Sequence, residues 1–106
     1  MGSRIMYVES KAEGLNGRGR IGRVSFWNNG KSLLYDGKTF RRLRGGGYKA
    51  NYYEVESGDR YWISGPKKNG LDRLYCTPGI YIDEDVQEEY WRTIRNQPSK
   101  VGRLTA

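Results

Sequence analysis

The 106-residue sequence predicts a mainly β fold with one C-terminal helix, on three observations. Turn dipeptides recur at Asn29-Gly30, Asp36-Gly37, Ser57-Gly58 and Asn69-Gly70. The first two and the last are dipeptides of type I′ hairpin turns, whose two central residues both need positive φ. The runs between these turns are apolar or alternating and too short for helices. Only one stretch, about 84–96, carries a helical pattern. Short strands joined by tight turns form an antiparallel meander, and this many should curl into a small SH3-like barrel with the helix packed on it.

Each element has its own signal. Ile5 to Val8 is a short apolar strand, and Arg23-Val24-Ser25-Phe26-Trp27 alternates. Leu33 to Tyr35 and Thr39 to Leu43 flank the Asp36-Gly37 turn. Tyr48 to Glu56 reads as a longer strand with Tyr53 and Val55 on one face and Tyr52, Glu54 and Glu56 on the other. Tyr61-Trp62-Ile63 answers it across Ser57-Gly58, and Leu74-Tyr75 and Ile80-Tyr81-Ile82 complete the strands. Lys11 to Gly22, rich in Gly and Arg, reads as a loop, and Gly45-Gly46-Gly47 as a second break. In the helix, acids crowd the first half and Arg92 and Arg95 the second, which suits the helix dipole. Val86, Tyr90, Trp91 and Ile94 share its buried face, Asp83 or Asp85 is the expected N-cap, and Pro98 stops it.

Hydrophobic residues are 36% of the chain, below the roughly 45–50% of an average soluble domain, so the core must lean on nine Tyr, three Trp and two Phe. One domain over 4–98 is expected, with Met1-Gly2-Ser3 having the composition of an expression scar and 99–106 forming a frayed tail. A lone cysteine, Cys76, cannot form an internal disulfide and reads as a small buried hydrophobe in a reducing, cytoplasmic setting. No apolar run reaches the length of a membrane span.

Nineteen Lys and Arg face twelve Asp and Glu, a net charge of +7. Five of the acids lie between Asp83 and Glu89, so elsewhere nineteen cations meet seven acids, a local +12. Such a field favours an anionic macromolecule, nucleic acid or an acidic protein, unless the charge serves solubility alone. With no histidine in the chain, Ser-His-Asp and Cys-His nucleophiles, a His general base and His-based zinc sites are all excluded. The expectation is therefore a non-catalytic protein without metal or small-molecule cofactor. Glu54 and Glu56 have a spacing that overlaps glycosidase carboxyl pairs, but a solvated sheet face explains them more simply.

Gly17-Arg18-Gly19-Arg20-Ile21-Gly22-Arg23-Val24 matches the spacing of dinucleotide and kinase glycine loops. The residues after Gly22 alternate like a strand where a dinucleotide motif opens a helix, and a kinase needs a catalytic His-Arg-Asp segment. What survives is an anion nest bearing Arg18, Arg20 and Arg23. The strongest constellation is Lys38 to Lys49, where Arg41, Arg42, Arg44 and Lys49 mix with Tyr48. Arg pairs with phosphate and stacks on bases, and aromatic rings take unpaired bases, so this mixture suits RNA or single-stranded DNA. An edge strand charged against aggregation would look similar. Tyr61, Trp62, Lys67, Lys68 and Arg73 form the second candidate, which aromatic packing beneath the helix could also explain. The same surface would fit a protein-binding module of the immunity-protein or antitoxin type that neutralises an acidic partner.

Arg20-Ile21-Gly22-Arg23-Val24, Tyr61-Trp62-Ile63-Ser64-Gly65-Pro66-Lys67-Lys68 and Glu89-Tyr90-Trp91 together resemble a family of short uncharacterised bacterial proteins, over most of residues 4 to 98. Some members carry the label of deoxyxylulose phosphate synthase, a thiamine-diphosphate enzyme. That enzyme is several times longer and needs a Gly-Asp-Gly motif, which this chain lacks. The resemblance implies a bacterial source and transfers no functional residue.

Overall fold

A computed structural model describes residues 2–12, 19–44, 50–69, 72 and 80–106. Six antiparallel strands close into a barrel: β1 (Gly2–Ser10), β2 (Gly19–Trp27), β3 (Ser32–Tyr35), β4 (Lys38–Arg42), β5 (Tyr52–Glu54) and β6 (Arg60–Ser64). Consecutive strands pair in order, and β1 closes the ring by pairing with both β2 and β6. A short β7 (Tyr81–Ile82) lies parallel to the start of β2. Residues 84–94 follow as the helix that packs on the barrel.

Turn chemistry fixes the register. Asp36 and Gly37 have φ of 53° and 73°, as a type I′ turn requires, and Tyr35 sits opposite Lys38. Asn28, Asn29 and Gly30 all take positive φ between β2 and β3, a conformation that Asn and Gly tolerate best. Gly58 does so between β5 and β6. Gly70, Gly45–Gly47, Leu74-Tyr75 and Cys76 lie outside the described residues.

Strand alternation makes two cores. Val8, Val24, Leu33, Phe40, Tyr52 and Ile63 fill the barrel. Ile5, Tyr7, Ile21 and Ile82 point the other way, onto Val86, Tyr90 and Trp91 of the helix. The helix begins as a 3₁₀ turn (Glu84–Val86), makes one α turn (Gln87–Glu89) and widens to i→i+5 bonding over Tyr90–Ile94, where the Arg95 N–H donates to the Tyr90 carbonyl at 3.0 Å. The widened turn lets two consecutive aromatics, Tyr90 and Trp91, both be buried. Asn96, at φ 53°, ends the helix before Pro98.

Asp83 occupies the N-cap position but makes no side-chain capping bond. Its carboxylate instead reaches β2 and β3. Oδ1 accepts from Nη2 and Nε of Arg20 at 2.7 and 3.2 Å, and Oδ2 accepts from the Tyr35 hydroxyl at 2.5 Å. Burial and the Asp83 bond together push the Tyr35 phenol far above its ordinary value, so it remains a neutral donor. Gly22 makes the meeting possible, because a Cβ there would overlap both the Tyr35 ring and Asp83 Oδ2.

Three expectations need correction. Gly19–Gly22 belongs to β2 rather than to a loop, since apolar Ile21 is buried and the segment pairs with Tyr7, Val8 and Glu9. Glu54 is not on a solvated face: it points inward at 8% exposure, and the Ser57 hydroxyl donates to it at 2.6 Å. Residues 99–106, expected to fray, return along β7. The Ile82 N–H donates to the Leu104 carbonyl, the Ala106 N–H to the Ile80 carbonyl, and the Trp91 indole N–H to the Arg103 carbonyl. Gly2 and Ser3 pair with Phe26 and Ser25.

Gly22→Ala should cost about 1–3 kcal/mol through overpacking, and Asp83→Ala about 2–3 kcal/mol by removing hydrogen bonds to a charged partner; chemical denaturation measures both. A third variant concerns Asp72, which is 6% exposed and accepts the Lys67 N–H at 2.6 Å on Oδ1, while Oδ2 has no partner among the described residues. Burial raises its carboxyl above the ordinary range, against the opposing pull of the Lys67 N–H. A raised acid favours the folded state in acid, and that contribution is lost as pH climbs through the raised value. Asp72→Asn keeps an acceptor for Lys67 and stays neutral. Its melting temperature should therefore exceed the parent's near about pH 7, with the advantage gone near about pH 3.

Candidate functional site

The helix covers the barrel on the β1, β2, β6 and β7 side. The outward face of β3, β4 and β5, with the end of β2, is left uncovered by it. There the register aligns one residue from each strand: Trp27 opposite Ser32, Ser32 opposite Arg41, and Arg41 opposite Tyr53. Directly opposed residues lie about 4.5–5.5 Å apart, so this is a continuous cross-strand row with aromatics at both ends.

The row floors a depression of about 430 Å³, which Asn28, Lys31, Arg42, Leu43 and Arg44 also line. Four of the described residues that line it are cationic, Lys31, Arg41, Arg42 and Arg44, and none of them is acidic. The ion pairs among the described residues use other cations: Lys11, Arg20, Arg23 and Arg92. Their charge is partly neutralised, whereas the depression's cations make no ion pair among the described residues. Arg42 is held in place, its guanidinium 5.8 Å from the centre of the Tyr52 ring and donating to the Tyr52 hydroxyl at 3.4 Å. That hydroxyl in turn donates to the Gly30 carbonyl at 2.9 Å, which ties the turn before β3 to β5. Trp27 and Tyr53 are half-buried; Lys31, Arg41 and Arg44 are exposed.

The site residues expected from sequence divide. Arg41, Arg42 and Arg44 share the depression. Tyr48, Lys49, Arg73 and Arg18 lie outside the described residues. Tyr61 faces the barrel interior, edge-on to Phe40 at 4.8 Å between ring centres. Trp62 faces the opposite way and packs against the helix-side core, its indole N–H donating to the Ser64 hydroxyl at 3.1 Å. Lys68 lines a separate depression with Arg4, Arg23, Pro66, Glu89 and Ile94, and Lys67 precedes it in the chain. The second candidate is therefore on another side from the first.

Arg20 and Arg23 carry carboxylate partners. Arg20 binds Asp83 and Asp36, and Arg23 binds Glu89 at 2.7 Å. Burial works against the Arg20 charge, but the Asp83 bond and the surrounding anionic field outweigh it and raise the pKa above the usual value. The backbone from Gly19 to Arg23 is extended and paired with β1. A nest needs alternating helical-type dihedrals, which that segment does not have.

Sequence reasoning missed Trp27, Lys31 and Tyr53. The signal for them was present, because a two-residue turn at Asp36-Gly37 reflects Ser32 onto Arg41, and continuing the reflection brings in Trp27 and Tyr53. Among the described residues no cluster of His, Cys, Asp and Glu could hold a metal ion, and no helix is long and apolar enough to cross a membrane. The small barrel is a fold compatible with a non-catalytic binding module. Compared with protein-family models, with curated proteins and with solved structures, the chain finds no match.

Proposed function

We propose that the protein is a non-catalytic module that binds RNA or single-stranded DNA on the outward face of β3, β4 and β5. The carrying observation is the Trp27–Ser32–Arg41–Tyr53 row, with Lys31, Arg42 and Arg44 around it and no carboxylate among the described lining residues. Arg41, Arg44 and Lys31 would meet phosphates, while Trp27 and Tyr53 offer ring faces to unpaired bases. Pre-positioning supports the reading, since Arg42 rests on Tyr52 and Tyr52 on Gly30 before any ligand arrives. A charged edge strand would protect against aggregation without two aromatics set beside the cations.

A titration with short RNA and single-stranded DNA at several salt concentrations tests this. Three or four phosphate contacts should give a slope of log K against log salt of about −2 to −3. Arg41→Ala should weaken binding and flatten that slope by about 0.7. Tyr53→Ala should cost about 1–3 kcal/mol of affinity with the slope kept. Lys68→Ala, in the other depression, should change little. Absence of binding at low salt, or a flat salt response, overturns the reading. So does purification from the native host with a stoichiometric acidic protein, held through Arg41, in place of nuclease-sensitive nucleic acid.

A further inference from the structure

Beside the cationic row runs a second one, two residues further along each strand. Ser25 lies opposite Leu34 and Leu34 opposite Thr39, while the N–H of Val55 donates to the Thr39 carbonyl at 2.9 Å. Alternation puts Leu34 and Thr39 on the same outward face as Ser32 and Arg41, and Val55 two residues on from Tyr53. None of these four residues is charged. Leu34 is 42% exposed and Val55 44%, two of the three large apolar side chains left exposed among the described residues. The uncovered face is therefore split lengthwise, cations and aromatics on one side and an uncharged, apolar strip on the other, about 7 Å apart along the strands.

We propose that this split fixes the form and orientation of the bound strand: one unpaired chain crosses β2 to β5 with its phosphates along Lys31, Arg41 and Arg44 and its bases reaching from the Trp27 and Tyr53 rings over Leu34, Thr39 and Val55. The proposal rests on the nucleic-acid reading above and narrows it to single strands. A single strand has a charged edge and an apolar edge of base faces, which matches the two rows. A duplex buries its base faces and offers phosphates on both sides, so the strip would lie against charge with nothing to neutralise it. In the strip only Ser25 and Thr39 have hydrogen-bonding side chains, and Ser25 is half-buried. Base identity would then be read weakly, as is usual where stacking replaces edge recognition.

Orientation can be tested with oligonucleotides of about twelve nucleotides, single-stranded and duplex, across a salt series. Leu34→Ala and Val55→Ala should each weaken single-strand binding by about three- to tenfold and leave the slope of log K against log salt unchanged, because they remove apolar contact and no phosphate partner. Leu34→Tyr, which adds a ring for stacking, should tighten it. Both positions are exposed, and a melting temperature within a few degrees of the parent's confirms that the variants fold. Duplex affinity equal to single-strand affinity overturns the proposal, as does indifference to Leu34→Ala and Val55→Ala while Arg41→Ala still weakens binding. In those two cases the wider reading stands. No binding by the unaltered protein at low salt overturns both.

Discussion

Asp83 ties three parts of the molecule to one point through its carboxylate. It ends β7, begins the helix, and reaches through the space above Gly22 to Arg20 on β2 and Tyr35 on β3. Each partner is needed in a particular form. Gly22 must lack a side chain, Tyr35 must remain a neutral donor, and Arg20 must keep its charge although burial opposes it. With the helix start fixed there, Val86, Tyr90 and Trp91 come down on Ile5, Tyr7 and Ile21. The helix therefore occupies one side of the barrel and does not reach the outward face of β3, β4 and β5.

That division governs the electrostatics. On the helix side the strongly acidic segment 83–89 lies within reach of basic residues, and Arg20, Arg23 and Arg92 find carboxylates there. On the far side, the cations of β4 and its flanks find none among the described residues. Lys31, Arg41, Arg42 and Arg44 thus line a depression with no described carboxylate beside them, between Trp27 and Tyr53.

Much of this was legible in the sequence. The turn dipeptides gave the hairpins, and the difference between apolar runs and alternation also marked which side the helix would cover. Ile5 to Val8 and Tyr61-Trp62-Ile63 are apolar on successive residues because those strands are packed on both faces. Lys38 to Arg42 carries a single apolar residue, Phe40, and it is the one residue of that strand that is buried. Other features depended on distant partners. Glu54 looked solvated until the turn carrying Ser57 folded back over it, and Gly19–Gly22 looked like a loop until β1 paired with it. The end of the chain was polar enough to suggest a free tail, but backbone bonds to β7, which no side-chain pattern announces, hold it down. Charge alone singled out Arg41, Arg42 and Arg44, which line one depression. Trp27, Lys31 and Tyr53 needed the register, and Tyr61 and Trp62 were drawn in by composition though packing already uses them.

The most direct test is to follow the three tryptophan indole N–H signals by NMR while a short single-stranded oligonucleotide is added. Trp27 floors the cationic depression, Trp62 packs beneath the helix, and Trp91 donates to the Arg103 carbonyl. The account predicts that the Trp27 signal moves with saturation, together with the backbone amides of Arg41, Tyr53 and Leu34, while those of Trp62 and Trp91 stay in place. Movement confined to the Trp62 and Lys68 side, with Trp27 unaffected, would contradict it.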